Sequence, residues 1–377
     1  MSNQAYQQWR KKMLSSAKAK RIPILGQYEL TPACNLDCKM CYVHSANSNK
    51  LRDNELKTEQ WKRIFDEAYD CGLMFAILTG GECLMRKDFK ELYLHLWKKS
   101  VRMTVMTNAT MLTEEHVAFF QKYRPDLIQI SLYGSSDECY EKVTGNRSFH
   151  KVVRAIQMLK DAKLPLQIAV TPSSYMGDDY IPTLKYARNT GVPVNYGQLY
   201  LFSKRDGDTC DEHYLTDDAI LRYSKERTAL LRELTPTVDL PKVGGPMIGA
   251  PEKGFTCGAG NSQAYVTWDG KMHPCGATLI DGASLLEMSY AQAWEKTKKV
   301  ADSVVQGIEC EGCAYRKVCT PCPALRLTDL HSGHCNSKVC ELTLLQVAEG
   351  ALRLVDQADQ DAEHDEQDSE MTKENIC

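Results

Sequence analysis

Residues 26–41 read Gly26-Gln-Tyr-Glu-Leu-Thr-Pro-Ala-Cys34-Asn-Leu-Asp-Cys38-Lys-Met-Cys41. The first part, Gln27–Thr31, is short and bounded by turn residues, and it reads as the first of a series of buried strands. Three cysteines follow at once. Three thiolates on one short loop can hold three corners of a cubane iron–sulfur cluster and leave the fourth iron without a protein ligand. A zinc loop would need a fourth ligand, such as His44. The spacing favours the cluster but leaves zinc open.

Beyond this loop, strand-like and helix-like segments alternate. Met74–Thr79, Arg102–Thr107, Leu127–Leu132, Leu166–Thr171 and Pro193–Leu199 continue the strands. Thr58–Tyr69, Phe89–Lys98, Glu114–Lys122, Phe149–Ala162, Ile181–Arg188 and Asp217–Leu234 are amphipathic. Six β/α units in a row predict an α/β fold, a parallel sheet with helices outside. Periodicity does not decide between a doubly wound sheet and a partly closed barrel. Pro236–Gly254 reads as a linker, after which the helical rhythm fades and cysteines take over. A last helix, Glu341–Leu354, precedes the acidic segment Asp356–Glu374, whose composition predicts disorder. There is no internal repeat.

The formal net charge of −3 gives no basic field for nucleic acid or a membrane surface. The polar, basic stretch Met1–Arg21 lacks the apolar run of a signal peptide, and no segment is apolar for long enough to span a bilayer. A cytoplasmic location is expected, where thiols stay reduced. The 16 cysteines are unevenly placed, with three in the first loop and eight between Cys257 and Cys340, so metal ligation explains them better than disulfides. Cys71 and Cys139 read as buried, inert thiols.

Strand ends carry the other signals. The second strand runs into Thr79-Gly80-Gly81-Glu82, the third into Thr107-Asn108-Ala109-Thr110, and the fourth into Ser131-Leu132-Tyr133-Gly134. In isolation these are turn or capping groups. Together with the cysteine loop, the pattern resembles the radical S-adenosylmethionine (SAM) superfamily. The resemblance implies a partial (β/α)6 TIM-like barrel whose [4Fe–4S] cluster, on Cys34, Cys38 and Cys41, is chelated by SAM through the open iron. An electron from it would release a 5′-deoxyadenosyl radical. Gly80, Gly81, Glu82, Asn108 and Ser131 would contact SAM. Met40 stands where the family often has an aromatic residue, and Cys83 where it often has proline.

The later cysteines are Cys257 and Cys275, then Cys310-x2-Cys313-x5-Cys319-x2-Cys322, then Cys335 and Cys340. Alone, the paired units could form a zinc ribbon. Behind a radical SAM domain they resemble the SPASM extension, a cysteine-rich auxiliary-cluster domain with two further iron–sulfur clusters, expected as [4Fe–4S]. The family usually has three residues between the last two clustered cysteines, where this chain has Thr320 and Pro321. Carried over residue by residue, Cys257, Cys275 and Cys322 hold the first auxiliary cluster, completed by Cys335 or Cys210 or left open to a substrate thiolate. Cys310, Cys313, Cys319 and Cys340 hold the second. The implied domains are an extension over 1–25, the barrel over 26–235, the SPASM domain over 236–355 and a tail over 356–377.

SPASM enzymes mostly modify peptides, so the resemblance implies an oxidoreductase that matures a ribosomally synthesised precursor peptide (RiPP) by thioether or carbon–carbon crosslinking or by epimerisation. Formylglycine formation on a sulfatase is the first alternative, but those enzymes carry an Asp after the cysteine matching Cys275, where this chain has Gly276. Tetrapyrrole side-chain chemistry is the second, and a non-enzymatic metal-binding redox sensor the reading from another class. A reductant such as flavodoxin or ferredoxin is implied. About thirty residues precede Cys34, too few for a winged-helix leader-binding domain, so leader recognition would fall to a separate protein or another surface, or be absent. Tyr133, Tyr200 and Asp137 are candidates to line the cavity, though each also reads as structural. No catalytic acid or base can be named.

Overall fold

The computed structural model describes residues 3–43, 50–197, 215–234 and 254–304 (without 256 and 278), and singly 315, 322, 324, 343 and 344. The chain divides into two compact units, 1–215 with 253–305, and 216–252 with 306–377. In the first, the order is α1 (Asn3–Lys20), β1 (Leu25–Glu29), α2 (Thr58–Asp70), β2 (Phe75–Thr79), α3 (Phe89–Lys98), β3 (Arg102–Thr107), α4 (Glu114–Lys122), β4 (Leu127–Ser131), α5 (Asp137–Thr144), α6 (Phe149–Asp161), β5 (Leu166–Val170), α7 (Tyr180–Asn189) and β6 (Val194–Tyr196). Helix α8 (Asp217–Leu234) lies in the second unit. The first unit resumes with β7 (Gln263–Val266), β8 (Lys271–His273), β9 (Ala283–Ser284) and α9 (Tyr290–Ser303).

The strands stand in the order β6-β5-β4-β3-β2-β1-β7-β8-β9. Neighbours from β6 through β1 to β7 pair in parallel, and β8 and β9 add antiparallel strands. This order answers what periodicity left open. A doubly wound sheet reverses direction in the middle, whereas six strands in strict succession with right-handed crossovers put all their helices on one face. That outer face is sealed. Tyr28, Leu78, Val105, Ile128, Ile130 and Ile168 are fully buried, and Trp61 and Phe65 of α2 meet the Tyr28 ring edge-on at 6.1 and 5.0 Å. The alternate residues Gln27, Ile77, Thr104, Met106, Gln129, Ser131 and Gln167 are half-buried on the opposite, inner face. The arrangement is the expected partial barrel.

Three helices depart from the sequence reading, the short α5 (Asp137–Thr144) among them. Asn3–Lys20, read only as a polar extension, is α1, whose Trp9, Met13, Leu14 and Ala17 pack against Ile24 and Phe75. The helical rhythm does not fade after the linker, because α9 buries Tyr290, Ala293, Trp294, Thr297, Val300 and Ala301. That stripe has helical spacing, but Ala and Thr weaken its apolar signature. The last helix and the acidic tail of the sequence reading lie outside the described residues, apart from helical 343 and 344. No described helix is long and apolar enough to cross a membrane.

Candidate active site

The site begins where β1 and β2 end. Parallel pairing continues beyond the strands, with Leu30 N–H to Thr79 O at 2.9 Å, Gly81 N–H to Thr31 O at 2.8 Å and Glu82 N–H to Ala33 O at 2.8 Å. The glycines make this approach feasible. A Cβ on Gly81 would lie 2.3 Å from the Ala33 carbonyl oxygen, and one on Gly80, whose φ is +154°, would lie 2.7 Å from that of Thr31. Buried Arg86 braces the same place from below. It donates to the Leu30 and Leu56 carbonyls at 2.8 and 3.1 Å and forms a bidentate pair with Asp88 at 2.8 and 2.7 Å.

The cysteine loop is then pinned to α5 through Asp37 N–H to Thr144 O and Lys39 N–H to Val143 O, both 3.0 Å. Burial pushes the Cys34 thiol up to about 12, helped by the negative charges of Glu82 and Cys41 and opposed by Leu36 N–H and Asn108. Burial also pushes Cys38 well above the ordinary thiol value, with Cys41 and Cys34 adding to it. All three cysteines are half-buried and lie within electrostatic reach of one another. A cubane takes three thiolates at separate corners, and this one short loop carries three. Such crowded thiols become good thiolates when iron takes up their charge. The donor set fits a [4Fe–4S] cluster. His44 lies outside the described residues.

Cys34, Cys257 and Cys275 share one local geometry. Each sulfur accepts the backbone N–H two residues on, from Leu36 at 3.5 Å, Ala259 at 3.5 Å and Ala277 at 3.4 Å. This pattern stabilises charge on sulfur and would suit a ligating thiolate. Cys322 is half-buried, and Cys210, Cys310, Cys313, Cys319, Cys335, Cys340 and Tyr200 lie outside the described residues.

Glu82 is 1 % exposed. Its carboxylate accepts from Leu84 N–H at 3.0 Å, Thr107 Oγ1 at 2.8 Å and Asn108 N–H at 2.7 Å. Burial raises its pKa, and these hydrogen bonds oppose the rise. The side chain thus ties β2 to β3. Asn108 turns its carboxamide nitrogen toward Asn35 Oδ1, at 3.0 Å, and Cys34 Sγ, at 3.8 Å. Ser131 is half-buried at the end of β4. Next to it, burial raises the Tyr133 phenol, and the nearby Cys38, Cys41 and Cys34 raise it further. Asp137 instead anchors α6, accepting from Phe149 N–H at 2.9 Å. Cys83 and Cys139 are fully buried and donate to the Met106 and Tyr133 carbonyls at 3.4 and 3.5 Å.

One pair was missed by sequence reasoning. Tyr265 of β7 donates to Glu29 of β1 at 3.0 Å, with both residues buried. Gly276 is pressed on the same phenol, since a Cβ there would lie 2.3 Å from the ring. Only the parallel pairing of β1 with β7, which opposes Gln27 to Tyr265, brings these distant residues together.

Residues 28–187 match the family model described as the radical SAM superfamily. Among curated proteins, the AdoMet-dependent heme synthase of Methanosarcina barkeri is 27 % identical over 80 % of this chain and 91 % of its own length. The PqqA peptide cyclase of Granulibacter bethesdensis is 33 % identical, but over only 37 % of each chain, little more than a third of its length. Among solved structures, Streptococcus suis SuiB bound to the precursor peptide SuiA aligns with a TM-score of 0.64 at 14 % identity, covering 90 % of this chain and 82 % of that one. That likeness shows the shared fold.

Proposed function

We propose that this chain, which belongs to the radical SAM superfamily through residues 28–187, oxidatively modifies a ribosomally made peptide. The observation that carries the reading is the chemistry of the inner barrel face. Gln27, Thr104, Gln129, Ser131 and Gln167 present carboxamides and hydroxyls there, with Gln129 and Gln167 directly paired. Carboxamides donate to peptide carbonyls and accept from peptide N–H groups equally well. A tetrapyrrole would instead offer a flat apolar face and several carboxylates, which the buried acid Glu29 on the same face disfavours. The relative named a PqqA peptide cyclase supports this reading.

In this proposal Cys34, Cys38 and Cys41 hold the [4Fe–4S] cluster, which supplies the electron that cleaves SAM. Gly80, Gly81 and Glu82 hold the cysteine loop in place and, with Asn108 and Ser131, border the SAM position. Cys257, Cys275 and Cys322, with Cys335 or Cys210 or an open iron, serve one auxiliary cluster, Cys310, Cys313, Cys319 and Cys340 serve a second, and a flavodoxin or ferredoxin delivers electrons. The site lacks room for a base after Cys275, because Tyr265 fills the space at Gly276, which disfavours formylglycine formation.

Tetrapyrrole chemistry is the second reading, favoured by the heme synthase match over 80 % of the chain. Co-expression with small precursor peptides encoded nearby, followed by mass spectrometry, separates the two. Loss of two hydrogens marks a crosslink, and an unchanged mass in ordinary water with a deuterium gained in heavy water marks epimerisation. Turnover of a porphyrinoid carboxylate with every peptide left unchanged would reverse the assignment.

A further inference from the structure

We propose that Asn108 is a positioning residue whose carboxamide N–H donates to the Cys34 sulfur and raises the reduction potential of the cluster held there. The inference rests on the radical SAM reading of the cysteine loop.

The carboxamide has little choice of direction. Its oxygen accepts from Thr110 N–H at 3.0 Å and from Thr110 Oγ1 at 2.7 Å. The nitrogen must then face the other way, where it meets Asn35 Oδ1 at 3.0 Å and Cys34 Sγ at 3.8 Å. Asn35 in turn donates to Thr110 Oγ1 at 2.7 Å, closing a ring of three side chains around the loop. The backbone is held as firmly, since Asn108 N–H donates to Glu82 Oε2 at 2.7 Å. At 8 % exposure, little water competes for the amide.

Reduction adds negative charge to the cluster and its sulfurs. A fixed N–H dipole aimed at a ligand sulfur stabilises that charge, and hydrogen bonds to the sulfurs are among the factors that set cluster potentials. Leu36 N–H, at 3.5 Å, gives Cys34 a second donor. The structure thus directs two donors at this one thiolate. Asn108 is the one that substitution can remove without altering the backbone.

The test is an anaerobic redox titration of the reconstituted holoenzyme, followed by electron paramagnetic resonance of the signal that SAM perturbs. Asn108→Ala is expected to shift that cluster's midpoint to more negative potential at unchanged iron content. Asn108→Asp, which replaces the donor by an acceptor, should shift it further. Asn35→Ala removes the acceptor that shares the amide and should move the midpoint the other way. An unchanged midpoint in Asn108→Ala overturns the proposal. Should that variant not retain its cluster, an unchanged midpoint in Asn35→Ala overturns it instead. A wild-type protein without any SAM-perturbed signal would count against the radical SAM reading itself, a distinguishable failure.

Discussion

The Glu82 carboxylate accepts the backbone N–H of Asn108 at 2.7 Å, across the ends of two neighbouring strands. Glu82 N–H donates at the same time to Ala33, one residue before Cys34. The Gly-Gly-Glu turn is therefore a clasp. It holds the cysteine loop by its backbone and the third strand's end by its side chain.

Gly81→Ala opens that clasp. The added methyl would sit 2.3 Å from a backbone oxygen that cannot swing aside. A stability loss of roughly 1–3 kcal/mol is expected, with reduced iron on the first cluster. Thermal melts of the apoprotein and iron-to-protein ratios after reconstitution would show both, and full iron occupancy at wild-type stability would contradict the clasp.

Asp88 gives a pH signature. Burial pushes its pKa up, but hydrogen bonds from Arg86 and Thr58 and the Arg86 charge outweigh it and hold the carboxyl below the ordinary aspartate value. A depressed carboxylate adds stability above its unfolded value and loses it as pH falls through the folded one. Asp88→Asn should cost about 1.5–3 kcal/mol at neutral pH. The gap to wild type should close in acid, as pH falls through the lowered Asp88 value. Chemical denaturation at both pH values measures this, and a gap independent of pH would contradict it.

Gly276 and Tyr265 should behave as a coupled pair. Gly276→Ala is expected to destabilise by roughly 1–3 kcal/mol through the Tyr265 ring. In a Tyr265→Ala background the same change should cost much less, since the space is then free. Simple additivity in a double-mutant cycle would show that the ring is not the obstacle.

Much of this was legible beforehand. Arg102–Thr107, Phe89–Lys98, Glu114–Lys122 and Asp217–Leu234 match their predicted bounds, and the other strands and helices in the β/α units shift by a few residues at most. Their apolar runs and helical stripes are set by burial under one layer of helices, which leaves a local imprint. Helix α5 escaped notice because eight residues carry too little periodicity, although Ser136 caps it and Gly145 ends it in the left-handed region. The extension of the sheet by β7 beside β1 was not legible, since Glu29 and Tyr265 are joined only by strand pairing across 236 residues. Nor could residue types alone show that Glu82 would spend its carboxylate on Leu84, Thr107 and Asn108.

The central claim is that Cys34, Cys38 and Cys41 hold a cluster that cleaves SAM. The most direct measurement is 5′-deoxyadenosine formation by the anaerobically reconstituted protein with SAM and dithionite. The account predicts the product from the wild type and its loss in Cys38→Ala. No product from a wild type with full iron, or undiminished product in Cys38→Ala, would contradict it.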